Sequence, residues 1–436
     1  MNGHYAEPTP APPATPASGL ILDPRYKWYL VAMLWWISFF NYADRQAIFS
    51  VFPLLQEELG LDKAQQGLLG SSFAWVYGLS APFAGAIVDR VRRKSAILGG
   101  LYVWSLICMA TAWSRNLTHL LFFRAAEGLG ETFYYPASVS IISAYHGKRT
   151  RSRALGFHQT SVYVGTIGGG FFAGLIGQRY GWRWSFIVFG GLGILLGIAL
   201  NRFVIEPARI SLDDESSQEL PKGAMPLGDV LRLITHTPTL GALMLAFLCA
   251  NFVALIGLAW MPSFLHEKFD LGLAWAGLTA TLFLQVGSMV GSSVGGWLAD
   301  ELRQRWPAGR AAVQAIGVFG GAPFVFLCGQ SESVSGLILI LSAWGFFKGL
   351  YDANIFASAF DVVPPQARGT VAGVMNLVGW LGGGSAPLII GYLAMDYGLS
   401  TAISYAASVY IAAGILLLAA CWFLTRPPAP RSARAS

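Results

Sequence analysis

Twelve stretches of this chain are apolar over the roughly 20 residues that a helix needs to cross the hydrocarbon core of a bilayer. They run over 27–55, 65–88, 95–114, 117–146, 153–178, 183–204, 238–265, 273–299, 310–329, 334–362, 369–395 and 400–425. Short polar turns separate them, except at 205–237, where a long segment carrying Asp213-Asp214-Glu215-Ser216-Ser217-Gln218-Glu219 reads as a linker. The pattern predicts an all-α integral membrane protein of twelve transmembrane helices in two pseudo-symmetric six-helix bundles, 27–204 and 238–425. A proline-rich arm, 1–26, is expected to be disordered and cytoplasmic, and 426–436 forms a cytoplasmic tail.

Composition agrees with a membrane class: 54% of the 436 residues are hydrophobic and 12% charged, at a mean hydropathy of +0.53. A soluble domain carries about 25% charged residues. The net charge of +6 is distributed by topology. With the N-terminus inside, 21 Lys and Arg fall on cytoplasmic segments and 5 (Lys63, Arg115, Arg179, Arg183, Lys268) on outer loops, which places both termini in the cytoplasm of a cell membrane, a bacterial inner membrane by expectation. The basic balance therefore needs no nucleic-acid partner. Cys108, Cys249, Cys328 and Cys421 lie in apolar stretches without a CxxC pair, so no metal is expected. No GxxxxGK[ST] or HExxH occurs, which argues against an ATP-driven pump, an enzyme with catalytic residues, or a cofactor.

The two halves repeat one another. Gly85-x-x-x-Asp89 recurs as Gly296-x-x-x-Asp300, and the set Gly165, Gly168, Gly169, Gly170, Gly177 recurs as Gly379, Gly382, Gly383, Gly384, Gly391. Parallel six-helix repeats around a central site are one plan of membrane transporters. Three basic residues, Arg45, Arg124 and Lys348, fall inside apolar segments. A charge there costs about 3 kcal/mol or more, so it faces a partner or a water-filled cavity. In the first segment the charges are adjacent, Asn41-Tyr42-Ala43-Asp44-Arg45. In the fourth, Arg124, Glu127 and Glu131 share one helical face, about 10 to 21 Å from a helix start near Leu117. Such a cluster is either a static salt bridge or a proton site in which an arginine moves between a carboxylate and an anionic substrate. Glu127 reads as the structural partner of Arg124. On the turn after the second segment, Gly85 permits close helix approach and Asp89, with Arg90, can latch the interface between halves. The second copy, Asp300-Glu301-Leu302-Arg303, is degraded and predicts a weaker latch.

Gly85-Ala-Ile-Val-Asp89-Arg90-Val-Arg92-Arg93-Lys94 resembles the signature of the major facilitator superfamily. The sequences Asn41-Tyr42-Ala43-Asp44-Arg45, Glu131-Thr-Phe-Tyr-Tyr-Pro136-Ala137, Arg153-Ala-Leu-Gly156, Gly181-Trp182-Arg183-Trp184-Ser-Phe186, Trp260-Met-Pro262-Ser-Phe-Leu265 and Gly369-Thr-Val-Ala-Gly373-Val-Met-Asn376 resemble its anion:cation symporter branch of hexuronate, sugar-acid and sialin-type carriers. The resemblance implies proton-coupled symport of a small organic anion by a monomer with alternating access. It gives Asp44 and Glu131 as the protonatable pair and Arg45 as the ligand of the substrate carboxylate; Arg124, a second buried guanidinium, is expected to bind substrate as well. Tyr42, Tyr77, Gln159 and Asn376 would line the substrate pocket, or else make interhelical hydrogen bonds. The chain is also similar to Spinster-like carriers of lysolipids, for which Tyr134, Tyr135, Trp75 and Trp380 would suit an apolar tail. Lys348 and Asp352, spaced i, i+4, depart from the branch pattern and leave the substrate open.

Overall fold

The computed structural model describes residues 25–88, 90–206 and 225–425, so the expected N-terminal arm, most of the linker, Asp89 and the C-terminal tail lie outside the described residues. The described residues form sixteen helices. In the first half these are α1 (Tyr26–Ser50), α2 (Phe52–Leu59), α3 (Lys63–Val88), α4 (Arg93–Thr111), α5 (Leu117–Glu131), α6 (Tyr134–Tyr145), α7 (Lys148–Tyr180) and α8 (Trp182–Leu200). A short amphipathic helix, α9 (Leu227–His236), lies within the segment read as a linker. The second half comprises α10 (Pro238–Phe269), α11 (Leu273–Arg305), α12 (Gly309–Gln330), α13 (Val334–Asp352), α14 (Ile355–Phe360), α15 (Arg368–Tyr397) and α16 (Leu399–Thr425).

Nine helical spans among the described residues are long and apolar enough by themselves to cross a membrane. The other three expected segments correspond to α1–α2, α3 and α5–α6. Two of these carry the buried charges, which lowers their hydropathy. Large apolar side chains project outward, with Phe83, Phe122, Trp297 and Leu339 all 68–72% exposed, a surface that suits lipid and not water.

Two segments expected to be continuous are broken at their charged residues. α5 ends at Glu131 and α6 begins at Tyr134, because Pro136 lacks an N–H and its ring crowds the carbonyl four residues earlier, that of Thr132. α13 ends at Asp352, where the Asn354 side-chain amide donates to the Leu350 carbonyl at 3.2 Å and the Asn354 backbone N–H turns instead to Tyr351. The Asn354 amide also reaches the Gly295 carbonyl at 3.1 Å, pinning the break against α11.

The repeated glycines serve two neighbours each. On α7, a Cβ at Gly169 would collide with the backbone of Ala43 on α1, and one at Gly170 with the backbone of Gly277 on α11. On α15, Gly382 meets Leu248 of α10, and Gly391 meets the backbone of Lys63 on α3. Thus α7 and α15 each join their own half to the other through backbone contact, and the pairs α7·α11 and α3·α15 are related by the internal repeat.

Candidate functional site

At the α2 end the halves are sealed. Gly67 lies under Pro387, Gly174 under Leu273, Lys63 forms an ion pair with Glu267, and the rings of Phe52 and Trp260 approach to 5.5 Å. The Gln46 amide donates to the Leu258 carbonyl at 2.9 Å across the same interface. Nearer the other end, a cavity of about 330 Å³ lies between α1, α3, α6, α7, α14 and α15. Tyr42, Tyr77, Gln159 and Asn376 all line it, with Thr132, Tyr135, Phe356 and Trp380. A smaller space of about 110 Å³ shares Tyr42 and Trp380 with it and is lined by Arg45, Gln46, Thr166 and Gln285.

Arg45 connects this space to the buried charges. Its Nε and Nη2 donate to one oxygen of Glu131 at 3.0 and 2.6 Å, and Nη2 also donates to Asn41 Oδ1 at 3.1 Å. The guanidinium is walled by aromatic faces, with its Cζ 4.5 Å from the ring centre of Tyr42, 4.7 Å from Tyr77, 4.9 Å from Phe73 and 5.6 Å from Trp380. Such walls hold a cation while leaving its N–H edge free for an oxyanion. Glu131 can reach this place because Gly128, one turn before Thr132, lets α5 lie against the Phe73 and Tyr77 backbone of α3.

Behind Phe73 is a second pair. Arg124 Nη1 contacts Glu127 Oε2 at 2.5 Å, both side chains are fully buried, and the Arg124 Cζ lies 4.7 Å from the centre of the Phe73 ring. This matches the structural pairing expected for Glu127. Arg124, expected to bind substrate, lines neither of the two cavities. Asp44 is fully buried and its two carboxyl oxygens have no hydrogen-bond partner among the described residues. One oxygen lies within 4.8 Å of the ligand atoms of Cys108 and Glu127, beside the Arg124–Glu127 pair that already places a cation there.

The remaining expectations divide. His158 is a buried structural residue, its Nε2 2.9 Å from the Tyr134 hydroxyl, which donates to the Leu34 carbonyl at 2.6 Å and is thereby withdrawn from the cavity. Trp75 likewise packs away, with its N–H 3.3 Å from Ser385 Oγ. At the proposed latch, a Cβ on Gly85 would meet nothing within 4 Å among the described residues, so these do not show the close approach expected there. The second copy carries a network of its own: Arg310 contacts Asp300 at 2.8 Å and Asp361 at 2.9 Å, and Arg303 contacts Asp361 at 3.1 Å, while Asp89 of the first copy lies outside the described residues. Sequence reading missed Phe73, the ring set against both guanidinium groups. Its signal was the spacing of Phe73 and Tyr77 by one turn, whose rings stack at 5.9 Å.

An all-helical membrane protein with a sealed end, a cavity between two repeated halves and a paired arginine at its wall is a transporter. The sequence matches the Major Facilitator Superfamily over residues 34–387 and again over 308–436, and the chain belongs to that family. It is 26% identical over 408 residues to a D-galactonate transporter of Escherichia coli, covering 88% of this chain and 93% of that one. It is 25% identical over 396 residues to a probable galactarate/D-glucarate transporter of Bacillus subtilis, covering 84% and 85%. In fold it is similar to a bacterial homologue of the human lysosomal transporter Spinster, crystallised inward-facing and unoccupied, with a TM-score of 0.79, 22% identity and coverage of 92% and 97%. That likeness concerns the fold alone.

Proposed function

We propose that this chain is a proton-coupled symporter of a small organic anion, a sugar acid or related carboxylate, working by alternating access. The observation that carries the reading is the clasp of Arg45 by Glu131 at the cavity wall with Asp44 buried and unpartnered beside it. The cluster holds three carboxyl groups, Asp44, Glu127 and Glu131, against two guanidinium groups, Arg45 and Arg124. An uncompensated buried charge costs several kcal/mol, so in this conformation one carboxyl group carries a proton, and Asp44, which has no cation of its own, is the one; it gives that proton up on the return of the empty carrier, which makes it, with Glu131, the coupling pair. When a substrate carboxylate takes Arg45, Glu131 loses its partner and takes up a proton. Anion binding and proton binding are then one event.

The relatives named for galactonate and for galactarate or glucarate transport support a sugar acid as cargo. Tyr42, Tyr77, Gln159 and Asn376 supply hydroxyl and amide groups for its alcohols. By the distribution of Lys and Arg, the sealed α2 end faces outward, the cavity faces the cytoplasm and both termini are cytoplasmic in a bacterial inner membrane. The two six-helix bundles, 27–204 and 238–425, are the rocking units of a monomer, and the turn at Gly85, Asp89 and Arg90 latches them in the opposite, outward-open state. A second reading, carriage of an amphiphile, draws on Phe49, Phe73, Leu255 and Leu258, which make the space beside Arg45 largely apolar.

Uptake of radiolabelled sugar acids into proteoliposomes, with and without an inward proton gradient, tests the proposal. Gradient-driven accumulation that disappears in Asp44→Asn and Glu131→Gln while counterflow exchange persists supports it. Transport of lysolipids with no uptake of any carboxylate overturns it in favour of the amphiphile.

A further inference from the structure

The second half contains a counterpart of the Arg45–Glu131 clasp that the symport scheme does not use. Glu131 is the last residue of α5 before its helix breaks, and Asp352 is the last residue of α13 before the equivalent break in the other half. Each carboxylate at a break holds a cation: Glu131 holds Arg45, and Asp352 holds Lys348 one turn back on its own helix. Lys348 and Asp352 retain 15% and 31% side-chain exposure, although they lie among elements of both halves. Tyr163 of α7 is within electrostatic reach of Lys348, Asp352 and Tyr42, and Tyr410 of α16 flanks the pair from behind. Tyr163 lies one turn beyond Gln159, which lines the cavity, and one residue from Val162, which lines the space around Arg45. A path of polar groups, Arg45, Tyr42, Tyr163 and Lys348, therefore runs from one half to the other.

We propose that Lys348 is a second anion-binding pole and that the preferred cargo is a dianion, a sugar dicarboxylate with one carboxylate on Arg45 and the other on Lys348. This rests on the symporter reading above. A cation inside a membrane protein is retained where it meets a partner or a charged cargo, and Asp352 neutralises Lys348 only on one side. Lys348 and Asp352 line neither cavity in this conformation, but the exposure of Asp352, against none for the Glu131 side chain, lets Asp352 stay hydrated and charged when Lys348 turns past Tyr163 to a substrate. The N-terminal clasp, buried and short of one positive charge, needs a proton to open. The C-terminal clasp, balanced and wetted, does not. The second pole thus adds selectivity without adding a coupled proton.

Galactonate and galactarate differ only in whether C6 is an alcohol or a carboxylate, so they isolate the second pole. In proteoliposomes of the wild-type protein, galactarate uptake is expected to have a kcat/KM at least tenfold above that of galactonate. The double variant Lys348→Gln/Asp352→Asn, which removes both charges together, is expected to erase that ratio, and Lys348→Arg to preserve most of it. A wild-type preference for galactonate, or a ratio unmoved in the double variant, overturns the proposal while leaving the symporter reading intact. Because the first comparison needs no variant, it stands even if the double variant does not fold. Failure to transport any carboxylate overturns the symporter reading and this proposal with it.

Discussion

Replacing Glu131 with glutamine removes the charge that competes with cargo for Arg45 and keeps the side-chain volume. Glu131 accepts two N–H groups of Arg45 at 3.0 and 2.6 Å, and Asn41 accepts one at 3.1 Å. Separating a buried ion pair by loss of one member costs about 3–5 kcal/mol. Here Arg45 keeps four aromatic faces and access to a cavity, so we place the expected loss at the low end, about 3 kcal/mol. In the wild type that energy is spent by any carboxylate that displaces Glu131. In Glu131→Gln it is released to binding, which at 1.4 kcal/mol per tenfold amounts to about a hundredfold lower Kd. The sign of the pH dependence follows from the same exchange. Wild-type binding takes up a proton at Glu131, so affinity rises as pH falls, by up to about tenfold per pH unit. The variant has no group to protonate there, and its affinity should be flat with pH. Calorimetric titration of the detergent-purified protein between pH 5.5 and 8.5, in buffers of different ionisation enthalpy, reads both quantities. An affinity equal to or weaker than wild type, or an undiminished pH slope, would refute the competition between Glu131 and cargo.

Asp44→Asn should bind cargo and exchange it across the membrane but accumulate none against a gradient, and it should melt no lower than wild type in a thermal-shift assay, because Asp44 has no hydrogen-bond partner to lose. Gly277→Val places side-chain atoms where the backbone of Gly170 now lies, so it should open the sealed end, read as a longer spin-label distance across α7 and α11 by double electron–electron resonance, and abolish net transport. Trp380→Ala removes one wall of the Arg45 site and should raise the cargo KM about tenfold, the weight of one partly desolvated cation–π contact, with kcat less affected. Arg310→Gln dissolves the Asp300–Arg310–Asp361 network. With Arg310 23% exposed and its partners more so, the expected loss is about 1 kcal/mol, read as a small fall in melting temperature at low salt that high salt erases.

Segment count, internal repeat and buried charges were legible in the sequence because each is a property of local composition. Apolar length marks a span, glycine spacing repeats at a fixed offset, and an Arg or Asp within a span is conspicuous. Tyr42, Tyr77, Gln159 and Asn376 were named by the resemblance to the anion:cation symporter branch and not by any local pattern, and all four line one cavity. Arg124 was misplaced for a geometric reason. It shares a helix face with Glu131, yet about two turns of helix separate their depths, and Glu127, one turn away, reaches it first. The breaks after Glu131 and Asp352 were hidden because Pro136 acts on a carbonyl four residues back and Asn354 acts through a side chain, neither of which interrupts hydropathy. Gly85 was read as a packing glycine, but a packing role depends on the conformation that brings the halves together, and among the described residues its surroundings are open in this one.

The sealed end is built to be reversible. Its contacts are glycine against backbone, the Phe52–Trp260 ring pair and one Gln46–Leu258 hydrogen bond, together with the Lys63–Glu267 pair, whose partners are 17% and 39% exposed. An exposed ion pair is worth about 0.2–1 kcal/mol, so the seal can separate and re-form with little electrostatic cost. The charge cluster is built the other way. Its members are buried and its pairs are expensive to break, so the number of protons it holds is fixed by the charge it must balance. Moving a two-state equilibrium from one side to the other takes about 5.5 kcal/mol of differential binding. A seal held by weak contacts keeps the two states within that range, and a cluster that tolerates no net charge supplies the differential. Under the proposed symport scheme, loading of anion and proton together leaves the cluster neutral and free to cross, whereas an anion alone leaves Glu131 charged and unpaired. In that division of labour the glycines of α7 and α15 set how easily the halves rock, and Asp44, Arg45 and Glu131 set when they are allowed to.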